Sequence, residues 1–411
     1  MVGALGSYAI TAVGLTNQPR WLFMALFFAM NIGVTAVVSR RKGEGNRESA
    51  NLCLLQAVFL TSIISVLVGV LAVVLAEPMM WLTGANEDTI LPATKYFQIT
   101  NAFMPITAMT MAINAAQRGV GNTAIAFRSS LAANIVSLIL NFLLIEGRFG
   151  FPRLEVRGAA IATVIGHIAG LIIALLSLVH KNGYLNFKYW SRFRPDLPMI
   201  KSISRIGGNA VIEQIFLRIG FFLYARIIAD LGTDAFAAHQ ICMQMFGFTF
   251  TIGDGLAVAC SSLVGQNLGR KRPDLSIIYG KIGQRLAFCV SSVMFAVIIV
   301  SRYAFAGLFT DDPSLIATCA TLLIIMAVIQ PIQTSQIVFS GVLRGAGDTR
   351  FVAITMLFTI TIMRPLCGYL FAVALDLGVM GAWCAILLDQ IVRLILVSGR
   401  FSSGKWSKIK L

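Results

Sequence analysis

Long apolar runs alternate along this chain with short polar turns rich in Gly, Pro, Asn and Asp. A helix needs about 20 apolar residues to cross the hydrocarbon core of a bilayer. Eleven runs reach that length: roughly 11–38, 52–76, 93–116, 123–146, 157–179, 204–230, 235–264, 279–308, 314–341, 351–375 and 380–400. Transmembrane strands would be shorter and would alternate apolar with polar positions, whereas these runs are continuous. The pattern predicts an all-α membrane protein with about eleven transmembrane helices present.

Composition agrees. Of 411 residues, 57% are hydrophobic and only 12% charged, against about 25% charged in an ordinary soluble domain. The formal net charge of +15 follows from basic loops on the cytoplasmic side of a membrane and implies no nucleic-acid partner. One set of connections holds Arg40, Arg41, Lys42, Arg47, Arg118, Arg128, Lys181, Lys188, Arg192, Arg194, Lys201 and Arg205. It continues with Arg270, Lys271, Arg272, Arg344, Arg350, Arg400, Lys405, Lys408 and Lys410. The other side holds Lys95, Arg148, Arg153, Arg157 and Arg302, with the acidic loops 86–89 and 310–314. The basic side is expected in the cytoplasm together with the C-terminus, which puts Met1 outside. The location expected is the cell membrane, multi-pass, of the bacterial inner-membrane kind. Seven cysteines lie in apolar runs without CxxC or metal-like spacing, so they read as small core hydrophobes. Nothing resembles a nucleophile elbow, a phosphate loop or a metal motif, so no enzyme and no cofactor are expected.

The phrase "QRGVGNTAIAFR" (117–128) returns as "LRGAGDTRFVAI" (343–354), 226 positions later. At that same offset Ala9, Ala12, Gln18 and Gly43 meet Ala235, Ala238, Gln244 and Gly269. The stretch 156–166 matches 379–389 at a slightly smaller offset. The second unit holds six spans, an even number, so two such units stand the same way up as parallel repeats. The expected plan is two pseudo-symmetric helical lobes of 6+6 spans. Residues 1–185 form an N-terminal lobe (helices two to six of that plan) and 186–203 a cytoplasmic linker. Residues 204–401 form a C-terminal lobe (helices seven to twelve) and 402–411 a cytoplasmic tail. A first span would precede residue 9, and an upstream in-frame segment of roughly 40 residues is expected to encode it. In the repeated phrase, Gly119, Gly121, Gly345 and Gly347 suit sharp helix ends. Arg118 and Arg344 suit terminal carbonyls or lipid phosphate. Asn122 and Asp348, each followed by Thr, suit caps of the next helix.

The phrases "AVGLTNQ" (12–18), "AAHQI" (237–241), "SSLVGQNLG" (261–269) and "VLRGAGDTR" (342–350) resemble the multidrug and toxic compound extrusion (MATE) transporters, in order along the whole chain. The resemblance implies two six-helix lobes with a central cleft, and alternating access. It implies secondary active antiport: export of organic, often cationic and amphipathic compounds in exchange for Na⁺ or H⁺. Partners are then small organic cations and membrane lipids, with a monomeric chain. "MVGALG" (1–6) resembles the stretch after helix one of the family. That helix carries a proton-coupling acid in one branch of the family.

A charge deep in a membrane is costly unless paired or wet, so charged positions within the spans are the candidates. Glu213, beside Gln214, is placed to bind the coupling cation or a cationic substrate; the competing reading is an ion pair with Arg218 or Arg364. The family resemblance points to the same helix, where many members carry an acid. Asp254, between Gly253 and Gly255, suits a cation site or a kinked helix. Asp389 and Arg393 have the i, i+4 spacing of an intrahelical pair. Arg20, after Pro19, lines the cleft or has lost a partner. Gln240 and Gln244, and Gln330, Gln333 and Gln336, line a wet cavity or join helices. Some sodium-coupled relatives carry an acid where Gln333 falls, so the amide weakens a Na⁺ assignment. Met243, Phe246, Phe250 and Phe216 read as an adaptable apolar wall or as bilayer packing. Trp406, among basic residues, reads as an interfacial anchor. The rival function is a flippase for lipid-linked precursors of the same superfamily, which would use a basic cleft built on residues such as Arg20, Arg218 and Arg364.

Overall fold

The computed structural model describes residues 5–179, 183–192 and 195–409, and these are helical throughout apart from short connections. Met1, Lys181, Arg194 and Lys410, which enter the expected sidedness, lie outside the described residues, as does the side chain of Arg192. Nine helices among the described residues are long and apolar enough to cross a membrane. Their exposed faces carry residues such as Val297 and Val300 on one helix and Ile395 on another. Apolar side chains exposed at this density suit acyl chains as their solvent, and the chain is a multi-pass membrane protein.

The chain divides into two compact units, Met1–Gly207 and Gly208–Leu411. The first contains α1 (Ser7–Gly43), α2 (Arg47–Val74), α3 (Ala76–Leu82), α4 (Glu87–Ala102), α5 (Met104–Gly119), α6 (Thr123–Leu144) and α7 (Glu155–Val179). The division falls inside α8 (Leu197–Ala229). The second unit continues with α9 (Thr233–Gly269), α10 (Pro273–Gly307), α11 (Pro313–Gly345), α12 (Thr349–Met356), α13 (Arg364–Tyr369) and α14 (Gly378–Ser402). Within the second unit α11 packs against α9, α10 and α14; within the first, α4 and α5 pack against α1, α2 and α7. Each unit thus has the same internal order of neighbours, as the repeat requires.

One predicted span is interrupted and another, Thr349–Ala374, is continuous but irregular, both near proline. The run at 93–116 divides into α4 and α5 at Phe103, because Pro105 lacks an N–H and its ring clashes with the preceding turn. The run at 351–375 holds π-helical turns at Leu357–Met363 and Leu370–Ala374. Pro365 follows the first, and the wider turn accommodates the hydrogen bond it cannot donate.

One turn is used four times. Helices α1, α5, α9 and α11 end at Gly43, Gly119, Gly269 and Gly345, and the next helix starts four residues later. Between them Gly45, Gly121, Lys271 and Gly347 take positive φ of 75°, 82°, 58° and 90°. In each turn that residue's N–H donates to the carbonyl three back, and the following N–H to the carbonyl five back, as in Asp348 to Leu343. This is the Schellman termination. It caps each outgoing helix with backbone alone. The expected side-chain caps are absent: neither Asn122 nor Asp348 bonds the start of its helix. Asp348 instead accepts from Arg400 Nε at 2.7 Å.

The helix-end glycines also permit close crossings. A Cβ on Gly345 would stand 2.2 Å from the Ser261 carbonyl oxygen, and one on Gly119 would stand 3.1 Å from that of Thr35. Thr35 and Ser261 are themselves 226 residues apart, so the repeat conserves the crossing α1–α5 as α9–α11. Trp406 departs from the expected interfacial anchor. It is fully buried, stacks on Phe401 at 5.4 Å, and donates its Nε1–H to the Phe401 carbonyl at 2.7 Å. The cysteines are free thiols, but Cys289 and Cys384 are exposed rather than in the core.

Candidate functional site

Gln240, Gln244, Gly247, Thr251 and Asp254 are all exposed on α9. Steps of four and three residues keep them on one helix face. Amides and carboxylates at membrane depth need partners, and among the described residues no protein group hydrogen-bonds the side chains of Gln240, Gln244 or Asp254. Such a face suits contact with water. Asp254 lies fifteen residues before the end of α9, or about 22 Å along the axis. The flanking glycines do not break the helix. Gly253 lets α9 pack on Thr334, where a Cβ would stand 3.3 Å from its methyl, and Gly255 faces open space.

Glu213, in α8, has no exposed surface. Its partner is neither of the expected arginines. Arg344, in the last turn of α11, donates Nη2–H to Glu213 Oε1 and Nε–H to Oε2 at 3.4 Å. A helical side chain leans toward its helix N-terminus, so Arg344 reaches back from the helix end into the span. Its partner in the protein is thus a carboxylate of another helix rather than the terminal carbonyls its motif suggests. Asp254 lies close enough to act on the Arg344 charge. One guanidinium thus stands within the influence of a buried carboxylate and an exposed one. Gln214, next in sequence, is half-buried, as is Arg218.

Asp389 takes two arginines. Arg393, one turn along α14, donates Nη2–H to Oδ1, and Arg364 donates to Oδ2 with Nε at 2.9 Å and with Nη2. Arg364 also lies over the rings of Phe221 and Tyr224 at 5.3 and 5.9 Å, and Arg393 Nε donates to Thr359 Oγ1 at 3.1 Å. All three charged residues are buried. The arrangement joins α13 to α14 and involves neither Glu213 nor the α9 face by hydrogen bond.

The glutamines separate. Gln330, Gln333 and Gln336 are buried inside the second unit, away from the exposed Gln240 and Gln244. Gln330 Nε2 and Gln333 Oε1 have no hydrogen-bond partner, and Gln390 Oε1, on α14, is also unmatched. Three open amide atoms call for internal water. Phe246 is a core residue packed edge-on against Trp383, while Phe250 is exposed and Met243 and Phe216 are half-buried. Arg20 is half-buried on α1, near enough to His167 of α7 for their charges to interact. Its repeat counterpart is the core residue Phe246. Arg118 ends α5 just before Gly119 and Gly121; the carbonyl of Val120 there accepts from Lys42 Nζ.

Sequence reasoning missed the Glu213–Arg344 pair, the Arg400–Asp348 pair and Gln390. A hint existed for one of them: Arg344 sits in the repeated phrase, and its helix faces the one bearing Asp254.

The MatE family model matches residues 1–143 and 210–370. The chain is 28% identical to the probable multidrug resistance protein NorM of Thermotoga maritima, over 98% of this chain and 87% of that protein. It is 26% identical to the uncharacterized transporter YisQ of Bacillus subtilis, over 99% and 89%. Its fold is similar to that of a crystal structure of MATE in the bent conformation, with a TM-score of 0.91, 21% identity, and coverage of 98% and 90%.

Proposed function

Since this chain belongs to the MatE family, we propose that it is a multidrug efflux transporter, exporting organic, often cationic compounds by alternating access in exchange for H⁺ or Na⁺. The observation that carries the reading is Arg344, bonded to buried Glu213 and within the field of exposed Asp254. The multidrug-resistance relatives support the substrate class.

The geometry gives a coupling logic. With Glu213 ionised, Arg344 neutralises it. A proton or Na⁺ on Glu213 displaces the guanidinium, whose charge then turns toward Asp254. An organic cation at Asp254 competes with that charge. Loading of the coupling ion and of the substrate thus oppose each other through one arginine, which is what an antiporter needs. The buried Gln333 and Gln336 supply polar groups on that arginine's own helix, where water can carry the ion.

The test is flux of a fluorescent organic cation into proteoliposomes under an imposed pH or Na⁺ gradient. One pH unit is worth about 1.4 kcal/mol per proton, enough for up to about tenfold accumulation. Wild type should respond to one of the two gradients, and Glu213→Gln should lose at least about tenfold of that response. Equal gradient-driven flux in both proteins would remove Glu213 from coupling.

A further inference from the structure

Arg20 of α1 and His167 of α7 are brought level by their helices. Tyr8, at the start of α1, donates Oη–H to Glu155 Oε2 at 3.2 Å, and Glu155 is the first residue of α7. Both helices run away from that contact. Arg20 and His167 each follow it by twelve residues, about 18 Å along the axis. Ala9 and Val156 belong to one core cluster, and each precedes its basic residue by eleven positions. Eleven residues make three turns, so Arg20 and His167 lie on the faces by which α1 and α7 share that cluster. They stand near enough for their charges to interact, and His167 is the central residue of α7. The register thus sets a guanidinium and an imidazole together at mid-span.

Nothing acidic faces them there. Every carboxylate of residues 1–207 lies in a connection or in the first turn of a helix. Among the described residues no protein group hydrogen-bonds or ion-pairs with Arg20 or His167, and both are half-buried. A guanidinium at this depth without a carboxylate takes up water or an anion. The second unit differs, with Glu213, Asp254 and Asp389 inside its helices. The repeat counterpart of Arg20 is the core residue Phe246, so the fold itself does not require a charge at this position. Arginine presents a planar fork of N–H donors that is always charged, and an imidazole keeps at least one N–H donor. Such a pair suits a small monovalent anion.

We propose that Arg20 and His167 form an anion site in the first unit, which holds a chloride ion or the carboxylate of an organic ligand.

The test follows the thermal midpoint of the full chain in detergent. Sodium chloride or sodium acetate replaces the sodium salt of a bulky sulfonate buffer at constant ionic strength. A ligand of the folded state raises the midpoint along a saturable curve. Wild type should show that curve. Arg20→Met should raise the fitted Kd at least about tenfold, and His167→Leu about threefold. Arg20→Lys should keep the chloride response and weaken that of acetate, because an ammonium has no fork. Acetate bound more tightly than chloride assigns the site to an organic carboxylate, and the reverse order assigns it to an ion from solution. A wild-type midpoint without a saturable response overturns the proposal, and so does an equal response in wild type and Arg20→Met. If Arg20→Met does not fold, His167→Leu carries the test, and a response equal to wild type overturns the proposal. The midpoint is measured without flux, so its outcome is independent of the exporter reading.

Discussion

Asp389 is the anion between two buried guanidinium groups. Removing one partner of a buried ionic group costs about 3–5 kcal/mol, because the remaining charge is stranded. Asp389→Asn should therefore lower the thermal midpoint in detergent strongly. Arg393→Met should lower it much less, since Arg364 still neutralises Asp389 with two hydrogen bonds. Similar losses in the two variants would contradict the triad. At the surface Asp312 precedes α11 and accepts from the backbone N–H of Ser314 at 2.9 Å. That bond holds its carboxyl below the ordinary 3.8. A depressed folded value means stability present above that pH and lost as the pH falls through it. The difference in midpoint between wild type and Asp312→Asn should shrink as the pH falls from about 5 to 3. At this scale the sequence showed the local partner and hid the distant ones. Asp389 and Arg393 are four apart, whereas Arg364 is 25 residues from Asp389 and Arg344 is 131 from Glu213.

The element scale is governed by the fourfold turn. Gly347 has φ 90°, a conformation that costs a residue with a Cβ about 1–2 kcal/mol. Gly347→Ala should destabilise by about that amount. The reverse case is built in. Lys271 occupies the same position at φ 58°, so Lys271→Gly should raise the midpoint, equivalent to about 1 kcal/mol. Gly345→Ala belongs to another class, since its Cβ would meet Ser261 backbone, and it should exceed the ~1–3 kcal/mol typical of overpacking. The exposed polar face of α9 has its own check. With Cys289 and Cys384 changed to serine, Gln244→Cys and Thr251→Cys should react with a membrane-impermeant thiol reagent. Gln333→Cys, at a position only 1% exposed, should not react. The glycines of the turn were legible because φ and close approach leave few residue choices. The exposed α9 stripe was legible only in part, since Gln240 and Gln244 share the i, i+4 spacing of Gln330 and Thr334, which lie inside.

For the whole molecule, basic residues predict the membrane orientation. A phosphatase joined after Leu411 should be inactive in cells and one inserted at 311 active; the opposite pattern would invert the sidedness. Hydrophobic run length and a repeat of 226 residues determined by themselves the helical class, the membrane and the two-unit plan. The reason is that a bilayer demands long apolar helices and that a duplicated bundle repeats its turns. Tertiary structure alone decided that Glu213 meets Arg344, that Gln333 is inside and Gln244 outside, and that Trp406 folds under Phe401. Those outcomes depend on which faces of different helices meet, and residue type along one chain does not encode that choice locally.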